Sequence, residues 1–121
     1  MRRVGETLAV AVSDETSDLT VGTGKTTFRA PWAMTLTGVR ASVQTAPVGA
    51  ALQVDINVNG ASIFSTPLTI DAGEKTSLTA AVAAVLATTA IPDDAEITID
   101  IDAVGSTTAG KALKVVLLGY R

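Results

Sequence analysis

Hydrophobic and polar residues alternate most cleanly near the end of the chain. Ile97, Ile99 and Ile101 are interleaved with Thr98, Asp100 and Asp102. A period of two predicts a strand with one apolar face and one charged face. A Gly/Ser/Thr-rich turn, Gly105 to Gly110, and a second apolar run, Leu113 to Leu118, follow. This order predicts a late β-hairpin. Upstream, Leu52, Val54, Ile56 and Val58 alternate with Gln53, Asp55, Asn57 and Asn59. Asn59-Gly60 then predicts a tight turn, because a type I′ turn needs positive φ at both central residues. Ala61 to Ser65 reads as the return strand.

The remaining pattern is shorter. Leu8 to Val12 predicts a first strand, Ser13 to Asp18 a polar turn, and Gly22-Thr23-Gly24 a second turn. Lys25 to Arg29 reads as a short strand that Pro31 ends. Met34 and Leu36 share one phase, and Val39, Ala41 and Val43 share the other. The phase flips at Gly38, as a bulge or bend would make it do. Leu68 to Ile70 predicts a strand and Asp71 to Lys75 a turn. Thr76 to Thr89 pulls two ways. Its alanines favour helix, while its Thr and Val residues in an all-β context favour a strand with an irregular connection, the reading adopted here. Ile91-Pro92-Asp93-Asp94 leads into the late hairpin, with the two aspartates capping a turn.

About eight strands at short intervals predict an all-β, antiparallel β-sandwich or barrel. Residues 8–121 form one domain, long enough to bury a sizeable core. Residues 1–7 lack apolar periodicity and read as an N-terminal arm that docks on a partner through Arg2 and Arg3. Met1-Arg2-Arg3 is not read as the start of a secretory leader, because Asp14 and Glu15 interrupt the apolar stretch that follows. The run from Ala80 to Ile91 is too short to span a bilayer, so no membrane partner is expected.

Composition narrows the chemistry. The chain has no histidine and no cysteine, so Ser-His-Asp and Cys-His arrangements and thiolate metal sites are excluded. The net charge of −3 offers no basic surface for nucleic acid. Aromatic residues make up only 3%, too few for stacking platforms. The surface is expected to be small-residued, Thr-rich and poor in charge, which suits packing against copies of the chain or against a scaffold.

Three constellations carry possible chemistry. Gly24-Lys25-Thr26 matches the tail of a phosphate-binding loop, but Leu19 stands where the first glycine belongs and no amphipathic helix follows, so a turn is expected. Asp55, Asp100 and Asp102 lie on the outward phase of two strands. They form either a solvated or subunit-facing acidic stripe or, if the strands are neighbours, oxygen ligands for a cation such as Ca²⁺. The stripe is the reading adopted, with no cofactor or metal. As a glycosidase pair they would lack aromatic sugar platforms. Trp32, just after Pro31, reads either as a core plug at the edge of a sandwich or as an anchor in a protein interface.

Several segments resemble one family. They are Val12 to Thr16, Gly22 to Pro31, Met34 to Val43, Val54 to Asn57, Ser62-Ile63, Leu68 to Ser77, and Asp93 to Asp102. In this order they are similar to small virion proteins of tailed bacteriophages and prophages, which occur alone and as modules of fibre-like proteins. The likeness is collinear over nearly the whole chain, though Ala80 to Ala90 is richer in alanine than the family. It implies a component of the phage virion. The reading adopted for the chain is a jelly-roll sandwich without catalytic activity on the capsid exterior, a decoration (cement) protein acting as a homotrimer bound to the major capsid protein, with Arg2, Arg3, Trp32, Asp55, Asp100 and Asp102 as the partner-facing residues. A receptor-binding or fibre module recognising a host glycan or protein is the alternative.

Overall fold

A computed structural model of the protein describes residues 5–121. Among these the chain is all-β, with eleven strands and one 3₁₀ turn at Ser77–Thr79. The strands are β1 (Gly5–Ala11), β2 (Gly22–Arg29), β3 (Met34–Ser42), β4 (Leu52–Val58), β5 (Ala61–Ser62), β6 (Phe64–Thr66), β7 (Leu68–Ile70), β8 (Val85–Leu86), β9 (Ala90–Ile91), β10 (Glu96–Ala103) and β11 (Lys114–Tyr120). One sheet has the order β1-β11-β3-β9. The second has the order β2-β10-β4-β5, with β7 also on β4, and β6 pairs with β8. Every pairing is antiparallel.

The alternation read in the sequence builds the core. Val54, Ile56, Val58, Ile97, Ile99 and Ile101 are all buried, and they share one cluster with Ala41, Val115 and Leu117 of the first sheet. β-Branched residues dominate because they pack well on a pleated surface. Asn59 (φ 50°) and Gly60 (φ 87°) make the predicted turn, pairing Val58 with Ala61. The bulge expected at Gly38 is present: Leu118 pairs with Gly38 and Gly119 with Leu36, leaving Thr37 as the extra residue. Gly119 is required there, since a Cβ would sit 2.1 Å from the Thr35 carbonyl oxygen.

The late hairpin is not formed. β10 lies in the second sheet between β2 and β4, while β11 lies in the first between β1 and β3. The Gly105–Gly110 segment is a crossing between sheets. It folds back on the Ala46–Gly49 turn, with Val48 N–H donating to the Thr108 carbonyl (2.9 Å) and Thr107 N–H to the Val48 carbonyl (2.9 Å). Gly105 fits under this crossing only without a side chain, because a Cβ would lie 1.9 Å from the Thr108 carbonyl oxygen. Period two fixes which face of a strand is buried but not which strand it pairs with.

Three boundaries also move. Gly22, Thr23 and Gly24 belong to β2 rather than to a separate turn, and the irregularity falls at Gly24 (φ 58°). Gly5, Glu6 and Thr7 pair with Tyr120, Gly119 and Leu118, so they are sheet residues and not part of an arm. Residues 1–4, with Arg2 and Arg3, lie outside the described residues. The return strand splits at Ile63: β5 stays on β4, and β6 turns away to β8. Residues 76–89 hold the 3₁₀ turn, an irregular stretch and β8, with no α-helix.

Ile99 is fully buried at the centre of this packing. Ile99→Ala is expected to destabilise the fold by roughly 2–5 kcal/mol. Denaturant unfolding of the purified variant measures this, and a loss below about 1 kcal/mol would contradict the packing described.

Candidate functional site

The expected acidic stripe lies on the outer face of β4 and β10. The strands are neighbours, with Asp100 directly opposite Asp55. Like charges placed so destabilise a sheet unless each is satisfied. Asp100 is satisfied by becoming part of the structure. Between Ile99 and Ile101 the register of β2 shifts from Thr26 to Gly22, so Thr23, Gly24 and Lys25 bulge around it. The left-handed backbone of Gly24 turns its N–H onto Asp100 Oδ1 (2.7 Å). Asn57 Nδ2 donates to Oδ2 (2.9 Å).

Asp100 therefore points away from the core, as the alternation predicts, but it is only 9% exposed. It is not the solvent- or partner-facing group expected. Its Oδ1 holds the bulge of β2 and its Oδ2 ties it to β4, so Gly24-Lys25-Thr26 is a strand irregularity. Lys25 Nζ donates to the Thr20 hydroxyl (2.6 Å).

The other two carboxylates behave differently. Asp55 is half-buried and accepts from the Ser62 hydroxyl on β5. Asp102 is exposed, and its carboxyl is pushed above the usual range. Partial burial is the larger cause, followed by the charges of Asp55 and then Asp100; a hydrogen bond with Gln53 opposes them. Among the described residues, no group of three His, Cys, Asp or Glu side chains is placed to hold a metal ion.

Trp32 does not join the carboxylates. It is half-buried against the core cluster, with the Arg121 guanidinium 4.3 Å from its ring centroid. Arg121 also pairs with Glu6, so this stack ties the end of β11 to β1. Among the described residues the buried indole N–H has no hydrogen-bond partner. The ring thus combines packing with a cation–π contact.

A different surface lacks any titratable or nucleophilic constellation. Leu78, Val82 and Val85 are 64%, 64% and 49% exposed. They lie in the run from Thr76 to Pro92, which holds no charged residue. Ala84, Val85 and Leu86 of the run form one wall of a groove of about 430 Å³, and Leu36, Val39 and Phe64 line the rest. The legible signal was the missing charge over that run. Compared with known families, curated proteins and solved structures, the chain has no match.

The stripe generates two predictions of opposite sign. Asp100→Ala strands the Gly24 N–H and the Asn57 amide and is expected to cost about 1–3 kcal/mol. Asp102→Asn is expected to stabilise by a few tenths of a kcal/mol, up to about 1, at neutral pH after solvent screening. A carboxyl with a raised folded value stabilises fully below its unfolded value, about 3.9, and loses that stabilisation as pH rises through the folded value. The gain from Asp102→Asn should therefore fade as pH falls below about 4. Thermal melts of both variants across pH 3–7 check the signs, and equal losses at neutral pH would contradict the roles assigned.

Proposed function

We propose that the protein is a structural component of a tailed-bacteriophage virion, a decoration protein that binds the outer head lattice and stabilises it. In this reading the two sheets form a β-sandwich of jelly-roll type, and the protein acts as a homotrimer on the major capsid protein. Its work is the burial of surface, and no reaction is catalysed. The observation that carries the reading is the exposed, uncharged segment from Thr76 to Pro92, which forms one wall of an apolar groove. That is the surface of a protein that docks, since contiguous exposed apolar patches mark interaction sites. The collinear resemblance to phage virion proteins supplies the kind of scaffold.

Purified protein added to heads lacking it is expected to bind saturably and raise their resistance to heat, because a ligand that prefers the assembled state stabilises it by mass action. Stained gels of purified particles should show hundreds of copies. Particles that lack the protein, keep full head stability and fail to adsorb to cells would overturn the decoration reading in favour of a receptor-binding module.

A further inference from the structure

We propose that the free edge of β1 takes a single extended strand of another protein, which adds to the first sheet by main-chain hydrogen bonds. This edge is at the opposite end of that sheet from β9, so the inference stands apart from the head-binding face.

The backbone defines the class of ligand. Val12 N–H donates to the Leu113 carbonyl (2.9 Å), and the pairing of β1 with β11 runs without a shift from Gly5 to Ala11. In an antiparallel pair, bonded and non-bonded residues alternate. Leu8 and Val10 therefore bond to β11, while the N–H and C=O groups of Thr7 and Ala9 point outward. Among the described residues nothing bonds to these outward groups. The Ala11 carbonyl, in the same phase, accepts from the Thr26 hydroxyl of β2 (3.3 Å). Outward donors and acceptors thus recur about every 7 Å, a ladder that an extended polypeptide matches group for group.

Sheet edges are ordinarily protected against such pairing, and the other edges here are. Strands β5 to β9 have two or three residues each, and Pro92 follows β9. β2 carries the bulge at Gly24 and exposed Lys25 and Arg29. β1 has seven residues with no bulge, no proline and no lysine. Its exposed residues, Gly5, Thr7, Ala9 and Ala11, are small. On its inner face Leu8 and Val10 are only half-buried, as is Phe28 of β2. An incoming strand with apolar inward side chains would cover them.

Charge selects a lone strand over a second copy. The Thr26–Ala11 bond places β2 on the same flank as β1. A copy docked edge to edge across a two-fold axis would set its Lys25 and Arg29 against those of the first, and like charges so placed are destabilising. A single segment brings no second layer. Acidic side chains at its ends would complement the two cations.

The probe is a synthetic peptide, Asp-Val-Thr-Val-Thr-Val-Asp, titrated into the isotope-labelled whole chain and followed by NMR. The Thr7 and Ala9 amides are expected to shift saturably and to gain protection from exchange, while amides of residues 76–92 stay unchanged. Ala9→Pro removes an outward N–H and no bond to β11, so the variant is expected to fold and to bind the peptide at least about ten-fold more weakly. Thr7→Pro should do the same, and circular dichroism checks both folds. Absence of saturable shifts on β1, or folded proline variants that bind as the wild type does, would overturn the inference. A wild-type dimer that Ala9→Pro dissociates in sedimentation would assign the edge to a second copy and overturn it as well. Each of these outcomes leaves the head-binding reading untouched.

Discussion

Strand β10 is buried along its apolar face and, on the other face, at Asp100, and the positions of the other elements follow from that constraint. On one face Ile97, Ile99 and Ile101 enter the core shared by the two sheets. On the other, Asp100 is covered and bound by the Gly24 N–H and the Asn57 amide. The apolar face contributes the larger free energy, since full burial of such a side chain is worth about 1.5–3 kcal/mol. The polar face sets register. A carboxylate that accepts from both neighbouring strands fits at one alignment only, because a one-residue slip would place Asp100 in the core and an isoleucine in its site.

This constraint explains why the chain can leave so much uncharged surface outside. With β10, β4 and β2 locked, the loops beyond them need not contribute to the core. Residues 76–92 are fixed by backbone and capping bonds at several points, with Ile91 the buried side chain among them. Leu86 packs against the core, but Leu78, Val82 and Val85 stay exposed and are surplus to folding. In a single soluble chain such exposure is an aggregation hazard unless a partner covers it.

How much was legible in the sequence follows the same physics. Inward and outward positions on β4 and β10, the Asn59-Gly60 turn and the bulge at Gly38 were all readable, because each is a local property of one strand or one turn. The partition of β10 and β11 into different sheets was not. A ten-residue connection is compatible with a wide hairpin or a crossing, and the choice is made by Gly105 and by the bonds of Val48 to residues 107–108, which are contacts distant in sequence. Asp100 shows the same limit. Alternation placed it away from the core correctly, but its burial depends on a bulge in β2 some seventy-six residues earlier. The uncharged run was visible throughout. Its exposure was not, because an apolar run reads the same whether it is covered or bare.

One face of this molecule is built for folding and, in the function proposed, a different one for docking. Hydrogen exchange of the whole chain, compared free and bound to heads, tests that division most directly. Amides of β10 should exchange slowly in both, since they belong to the global core. Binding should add protection at residues 76–92 and 36–39. Added protection on the Asp55–Asp102 face instead, or fast exchange of β10 in the free protein, would contradict it.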